Sequence, residues 1–145
     1  MTKLTEILDV LWLRGEVEGG NVRIQTHPEF PHLMIANYTE QCAWLRNWND
    51  VTRLTRGLIW NDETGEVLAR PFPKFFNFDE KEAPRILDDQ IVYSYSNKYD
   101  GSLGILYIRP DGKPAIATRG SFASDQAMMA TAYITNNPSA ISDDL

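Results

Sequence analysis

The chain has 145 residues, enough for one ordinary domain with a real hydrophobic core, and its hydrophobic (43%) and charged (23%) fractions are those of a globular protein rather than a disordered one. A formal charge of −6 argues against a protein that coats nucleic-acid duplexes through unspecific phosphate contacts, so local clusters of cations carry more information than their sum. Apolar runs are only a few residues long, the N-terminus does not read as a secretory signal, and one cysteine (Cys42) excludes an internal disulfide; together they give the expectation of a cytoplasmic protein. Cys42, next to Trp44, Leu45 and Trp48, reads as a buried inert thiol, and two histidines with one cysteine make a zinc site improbable.

Leu4, Ile7, Leu8 and Leu11 recur at the spacing of one helical face, with Gly15 and then Gly19-Gly20 expected to end the helix. The period then becomes two, predicting strands at residues 22–26 and 32–38 with a turn bounded by Pro28 and Pro31. Residues 44–48 suggest a short helical turn with aromatic packing. Residues 56–60 and 66–70 flank Asn61-Asp62-Glu63-Thr64-Gly65 and predict a β-hairpin. Pro71-Phe72-Pro73 opens an aromatic loop containing Lys74, Phe75, Phe76 and Phe78, at least two of whose rings are expected in the core. Two further strands, 91–96 and 102–108, are predicted to join through Lys98-Tyr99-Asp100-Gly101. Pro110-Asp111-Gly112-Lys113 then turns the chain into a strand at 115–118. A helix is expected over 125–134 with Ser124 as N-cap, and after it a polar, frayed tail. Strands dominate and no βαβ alternation occurs, so the reading is a single α+β domain over residues 1–145, mainly antiparallel sheet with flanking helices.

Lys98-Tyr99-Asp100-Gly101 by itself also describes an ordinary Asp-Gly hairpin turn. Its chemical reading makes Lys98 a nucleophile toward the α-phosphorus of a nucleotide. That reaction needs the neutral amine, which burial or nearby cations would favour. Asp100 would orient the amine or contact the nucleotide, and Gly101 would let the backbone approach phosphate or ribose. Arg56 before Gly57, Lys74 between Pro73 and Phe75, and Arg119 before Gly120 all lie at strand ends or in loops, where folds commonly present site residues. Any one of them alone is more often a solvated charge; together they suit a triphosphate, whose oxygens an arginine fork clamps well.

Taken in order, Arg56-Gly57-Leu58-Ile59-Trp60, Lys74-Phe75-Phe76-Asn77, Lys98-Tyr99-Asp100-Gly101-Ser102-Leu103 and Gly120-Ser121-Phe122-Ala123-Ser124-Asp125-Gln126-Ala127 make the chain resemble the T4 RNA ligase 1-like family of ATP-dependent RNA ligases. The second and fourth elements are far more specific than Lys-x-Asp-Gly, which DNA ligases and mRNA capping enzymes share. The resemblance implies the N-terminal part of an adenylyltransferase domain, with ATP and Mg²⁺ as cofactors and RNA carrying 5′-phosphate and 3′-hydroxyl ends as partner. It implies Lys98 as the residue that takes AMP, contacts to ATP from Arg56, Lys74, Asp100, Gly101 and Arg119, and Tyr38 near the nucleotide pocket. No metal ligand is identified. The family usually has lysine where this chain has Arg119. Members also supply, further along, a ribose-contacting glutamate, an acidic residue toward the metal and a lysine pair for the α-phosphate. After Gly120 this chain carries only Asp125, Asp143 and Asp144 as charged side chains. The expectation is therefore a fragment, a split protein completed by a partner chain, or a truncated relative, with much of the RNA-binding surface elsewhere. A non-catalytic nucleotide-binding or partner-binding module is the alternative.

Overall fold

The computed structural model describes residues 1–84 and 94–141. The expected first helix is two: α1 (Leu4–Ile7) and α2 (Val10–Glu18). Asp9 makes the break, its carboxylate accepting from the backbone N–H groups of Leu11 and Trp12 and starting a new helix there. Gly15 lies inside α2, whose C-cap is Gly19. The restart rotates the apolar face, so Leu4, Leu8 and Leu13 are buried while Leu11, expected in the core, is exposed.

Strands β1 (Val22–Thr26), β2 (Leu33–Tyr38), β3 (Arg56–Asn61) and β4 (Val67–Ala69) form an antiparallel sheet in that order. Between β2 and β3 the chain makes α3 (Glu40–Leu45), capped by the Thr39 side chain, and α4 (Asp50–Leu54), opened by an Asn49–Thr52 capping box. The helical turn expected at 44–48 is displaced: Arg46 takes a left-handed conformation and stops α3, which leaves Trp44 exposed. The Cys42 thiol is buried as expected, and burial raises its pKa.

Strands β5 (Ile105–Ile108) and β6 (Pro114–Ala117) pair with each other, followed by α5 (Asp125–Asn136) with the Ser124 hydroxyl at its N-cap and a 3₁₀ turn at Pro138–Ala140. Of the strand expected at 91–96, residues 91–93 lie outside the described residues and 94–96 are not strand; the first strand residue after Lys98 is Ile105. Lys98 to Gly101 is thus an irregular loop rather than a tight hairpin turn, because β5 finds its partner downstream in β6.

Alternation along the strands gives the four-stranded sheet two apolar faces. Leu58 and Trp60 pack with Ala36, Val22 and the helical residues Leu4, Leu8, Leu13 and Val51; Leu33, Ile35 and Ile59 pack against Ile105, Tyr107, Ala115, Ala117 and Phe122. The order is helices, sheet, second sheet, with α5 tied to β6 by the Thr131 hydroxyl, which accepts from the Ile116 N–H at 2.9 Å. The protein is α+β with antiparallel sheet and flanking helices. Among the described residues no helix is long and apolar enough to cross a membrane.

Candidate functional site

Where the two sheets meet, β2 and β3 bring Asn37 opposite Arg56 at a register irregularity. The next residue, Gly57, has φ +85°, and a Cβ there would lie 2.2 Å from Ile105 Cδ1 and 3.3 Å from the Arg119 carbonyl oxygen. Glycine therefore permits a close approach of β3 to the second sheet. Arg119 and Gly120 form the tip of a tight turn closed by backbone bonds between Thr118 and Ser121 at 2.9 and 3.2 Å. The cavity this creates has a volume near 370 Å³. Asn37 and Arg56 come to it from the four-stranded sheet, residues 101–103 from the Lys98 loop, residues 118–120 from the turn and Gln126 from α5.

Arg119 is held in place from behind. Its Nη1 donates to the Tyr38 hydroxyl at 2.7 Å, and the guanidinium carbon sits 4.9 Å from the Tyr38 ring centroid. Tyr38 packs edge-on against Trp48, and Trp48 against Phe76, at centroid separations of 4.9 and 5.6 Å. Lys74 joins this stack: its backbone N–H donates to Arg53 O at 2.8 Å, and Nζ lies 4.8 Å from the Phe76 centroid and 5.6 Å from that of Trp48. Arg56 donates to the Phe72 carbonyl at 3.2 Å and lies over the Phe75 ring. The adjacent Phe75 and Phe76 thus serve different cations. None of Phe72, Phe75, Phe76 and Phe78 is buried, against the expectation that two would be core, because the loop lies across Trp48 rather than under a sheet.

Burial lowers the Lys74 pKa; Glu80 opposes this, while Arg56, Arg119 and Arg46 add to it. Three of the cations singled out in the sequence therefore share one electrostatic neighbourhood. Lys98 and Asp100 are not in it. Their side chains pair with each other at 2.9 Å in solvent, which holds the Asp100 carboxyl below its ordinary range through the lysine's hydrogen bond. Lys98 is exposed, and its connection to the cavity is Gly101, at φ +135° in the wall.

Asn37 and Trp48 belong to the site without having been singled out, and Gln126 was read only within the Gly120–Ala127 element. Asn37 Nδ2 donates to the Tyr38 carbonyl at 2.8 Å, while Oδ1 is buried with no partner among the described residues. A second groove, near 700 Å³, shares Asn37, Arg119 and Gly120 with the first cavity and runs toward Arg23 and Gln25 on β1 and the start of α3. Among the described residues no three His, Cys, Asp or Glu side chains converge, and the first cavity is lined by arginines and amides without a carboxylate. This donor set does not fit a magnesium ion on its own.

The cavity thus gathers two arginines and the amides of Asn37 and Gln126 beside the loop that carries Lys98. A family model described as RNA ligase matches residues 54–142, more than half of the chain, and the chain belongs to this T4 RNA ligase 1-like family. It is 37% identical over 75 residues to RNA ligase 1 of bacteriophage TS2126, an overlap of 48% of this chain and 19% of that protein. It is 32% identical over 103 residues to the putative bifunctional polynucleotide kinase/RNA ligase of Autographa californica nuclear polyhedrosis virus, 60% of this chain and 15% of that one. The chain spans under a fifth of the length of either relative.

Proposed function

We propose that the chain is the N-terminal part of an adenylyltransferase domain that binds ATP in the Arg56–Arg119 cavity and takes AMP on Lys98. The observation that carries this reading is the gathering of Arg56 and Arg119 at one cavity with Lys74 near it, in a chain of the RNA ligase family, with the loop bearing Lys98 entering that cavity at Gly101.

In the first step Lys98 Nζ, having released its proton to solvent, attacks the α-phosphorus. A P–N bond forms and the P–O bond to pyrophosphate breaks. Arg119, pinned by Tyr38, and Arg56 stabilise the charge gathering on the phosphate oxygens. Lys74, outside the cavity lining but within the electrostatic reach of Arg56 and Arg119, would add positive charge for a departing pyrophosphate. The phosphate at the 5′ end of an RNA then displaces Lys98 from the adenylate, and a 3′-hydroxyl displaces AMP to seal the strand, as RNA repair requires. A divalent ion carried by the phosphates would screen their charge. For Lys98 to react, the loop must turn its side chain from Asp100 toward the cavity, a movement about Gly101.

Incubation with α-labelled ATP and Mg²⁺, followed by denaturing electrophoresis, tests the reading. Label retained by the wild-type chain, absent from Lys98→Ala and much reduced in Arg119→Ala is the expected result. ATP binding without any label would instead make the chain a non-catalytic nucleotide-binding module.

A further inference from the structure

The groove beyond Arg119 is lined mainly by cations, amides and hydroxyls. Arg23 and Gln25 stand on the same face of the edge strand β1, two residues apart, with Arg23 paired to Asn37 in register. With its amide carbonyl turned to the guanidinium, Gln25 accepts from Arg23 Nη2 at 3.2 Å and Nε at 3.3 Å, which orients Arg23 beside the groove. Across from it, Thr39 Oγ1 donates to Gly20 O at 2.6 Å and Gln41 Nε2 to Gly19 O at 3.1 Å, fixing a polar floor. Glu40, the one carboxylate in the lining, lies in the first turn of α3, where a negative charge suits the helix dipole.

The same stretch of α3 continues the surface outward. Glu40, Gln41 and Ala43 are shared with a shallow concavity whose further wall is Trp44 and Leu45. Trp44 is 87% exposed, whereas Trp48 four residues on is packed between Tyr38 and Phe76. Core packing does not account for Trp44. From the first cavity outward the chain therefore presents Arg119 and Arg23, then amides with Glu40 among them, then an open indole face. A cationic groove leading to an exposed aromatic ring is a way to hold single-stranded nucleic acid without reading its sequence.

We propose that this groove receives the 5′-phosphorylated end of the RNA strand, with the terminal phosphate between Arg119 and Arg23 and a following base stacked on Trp44. The inference rests on the function proposed above and extends it by giving the second substrate a place. Arg119 belongs to both cavities, so a phosphate at its outer side adjoins the adenylate at its inner side, as AMP transfer requires. Despite the net charge of −6, part of an RNA-binding surface would then lie within this chain.

The test is fluorescence anisotropy with a short oligoribonucleotide labelled at its 3′ end and carrying either a 5′-phosphate or a 5′-hydroxyl. The wild-type chain is expected to bind the phosphorylated oligonucleotide several-fold more tightly. Arg23→Ala should abolish that preference, and Trp44→Ala should weaken both oligonucleotides by about tenfold. Equal binding of the two oligonucleotides, no binding, or an unchanged preference in Arg23→Ala overturns the proposal. So does RNA binding that survives Trp44→Ala while that variant loses self-association, which assigns Trp44 to a protein contact. Labelling of Lys98 by ATP is measured on the same preparation. Labelled protein that ignores the 5′-phosphate sinks this inference alone, and failure of both sinks the adenylyltransferase reading with it.

Discussion

His27 is buried between Phe30 and Phe122, and its hydrogen bonds define its charge state. Nδ1 accepts from the backbone N–H groups of Glu29 at 3.0 Å and Phe30 at 3.2 Å, so the ring proton belongs on Nε2, which donates to the Tyr107 hydroxyl at 3.1 Å. A second proton on Nδ1 would break both backbone bonds. Burial is the main cause that lowers the His27 pKa; Glu29 and Asp111 oppose it, while Arg109 and His32 assist. Because the folded pKa lies below the ordinary value of about 6.5, the unfolded chain takes up a proton first as pH falls. Stability from this residue is therefore complete above about pH 6.5 and declines as pH drops toward the folded value. The expected result is a denaturation midpoint that is flat between roughly pH 7 and 8 and falls on acidification below 6.5. In His27→Asn the amide oxygen can still accept from the backbone, but the Tyr107 bond is lost; this variant should be less stable at neutral pH by about 1–2 kcal/mol and show a flatter slope on acidification. An equal acid slope in both proteins would remove His27 from the explanation.

Among the elements, the contact that sets the site is β3 against the turn at Arg119, and Gly57 is its weakest point sterically. A methyl group there meets Ile105 Cδ1 at 2.2 Å and also needs a left-handed backbone at φ +85°. Gly57→Ala is expected to destabilise the fold by about 2–4 kcal/mol, through overpacking and backbone strain together. Ile105→Val removes the clashing atom, so the double variant should recover the steric part and keep a deficit of roughly 1–2 kcal/mol from the backbone. Urea denaturation of the single and double variants reads both; strictly additive losses would mean that the two residues do not meet. Much of this architecture was legible beforehand. Alternating apolar residues gave β1, β2 and the β3–β4 hairpin, and Ser124 gave the start of α5, because these signals are local. The break at Asp9 and the Asn49 capping box were missed because a polar side chain overrode the apolar spacing on which the reading relied. Of the site, Arg56 and Arg119 could be read from their glycine neighbours. Asn37 and Trp48 could not, since their roles come from strand pairing and packing between segments far apart in sequence.

For the molecule as a whole, a net charge of −6 repels an anionic nucleotide at long range, so the cationic seam depends on where the carboxylates are held. Arg46, in the link between α3 and α4, holds two of them. Its Nε donates to Glu82 Oε1 at 2.7 Å, its Nη2 bonds both Glu82 and Glu80, and these bonds raise the arginine's pKa. Glu80 also accepts from the Asn77 N–H at 2.8 Å, which is the first cause of its lowered pKa. The loop bearing Lys74 is thus tied to the α3–α4 segment at two points, by the Lys74–Arg53 backbone bond and by Arg46. Such solvent-facing pairs add little to global stability. Their effect should fall on ATP affinity, because Glu80 released from Arg46 is free to neutralise Lys74. Arg46→Glu is expected to weaken ATP binding several-fold with little change in the denaturation midpoint. Adding Glu82→Arg should restore most of the affinity, and raising the salt concentration should shrink the difference between the variants. Calorimetric titration with ATP at low and high salt would decide it: unchanged affinity in Arg46→Glu, or no recovery in the charge swap, would show that the loop holds Lys74 without this clamp.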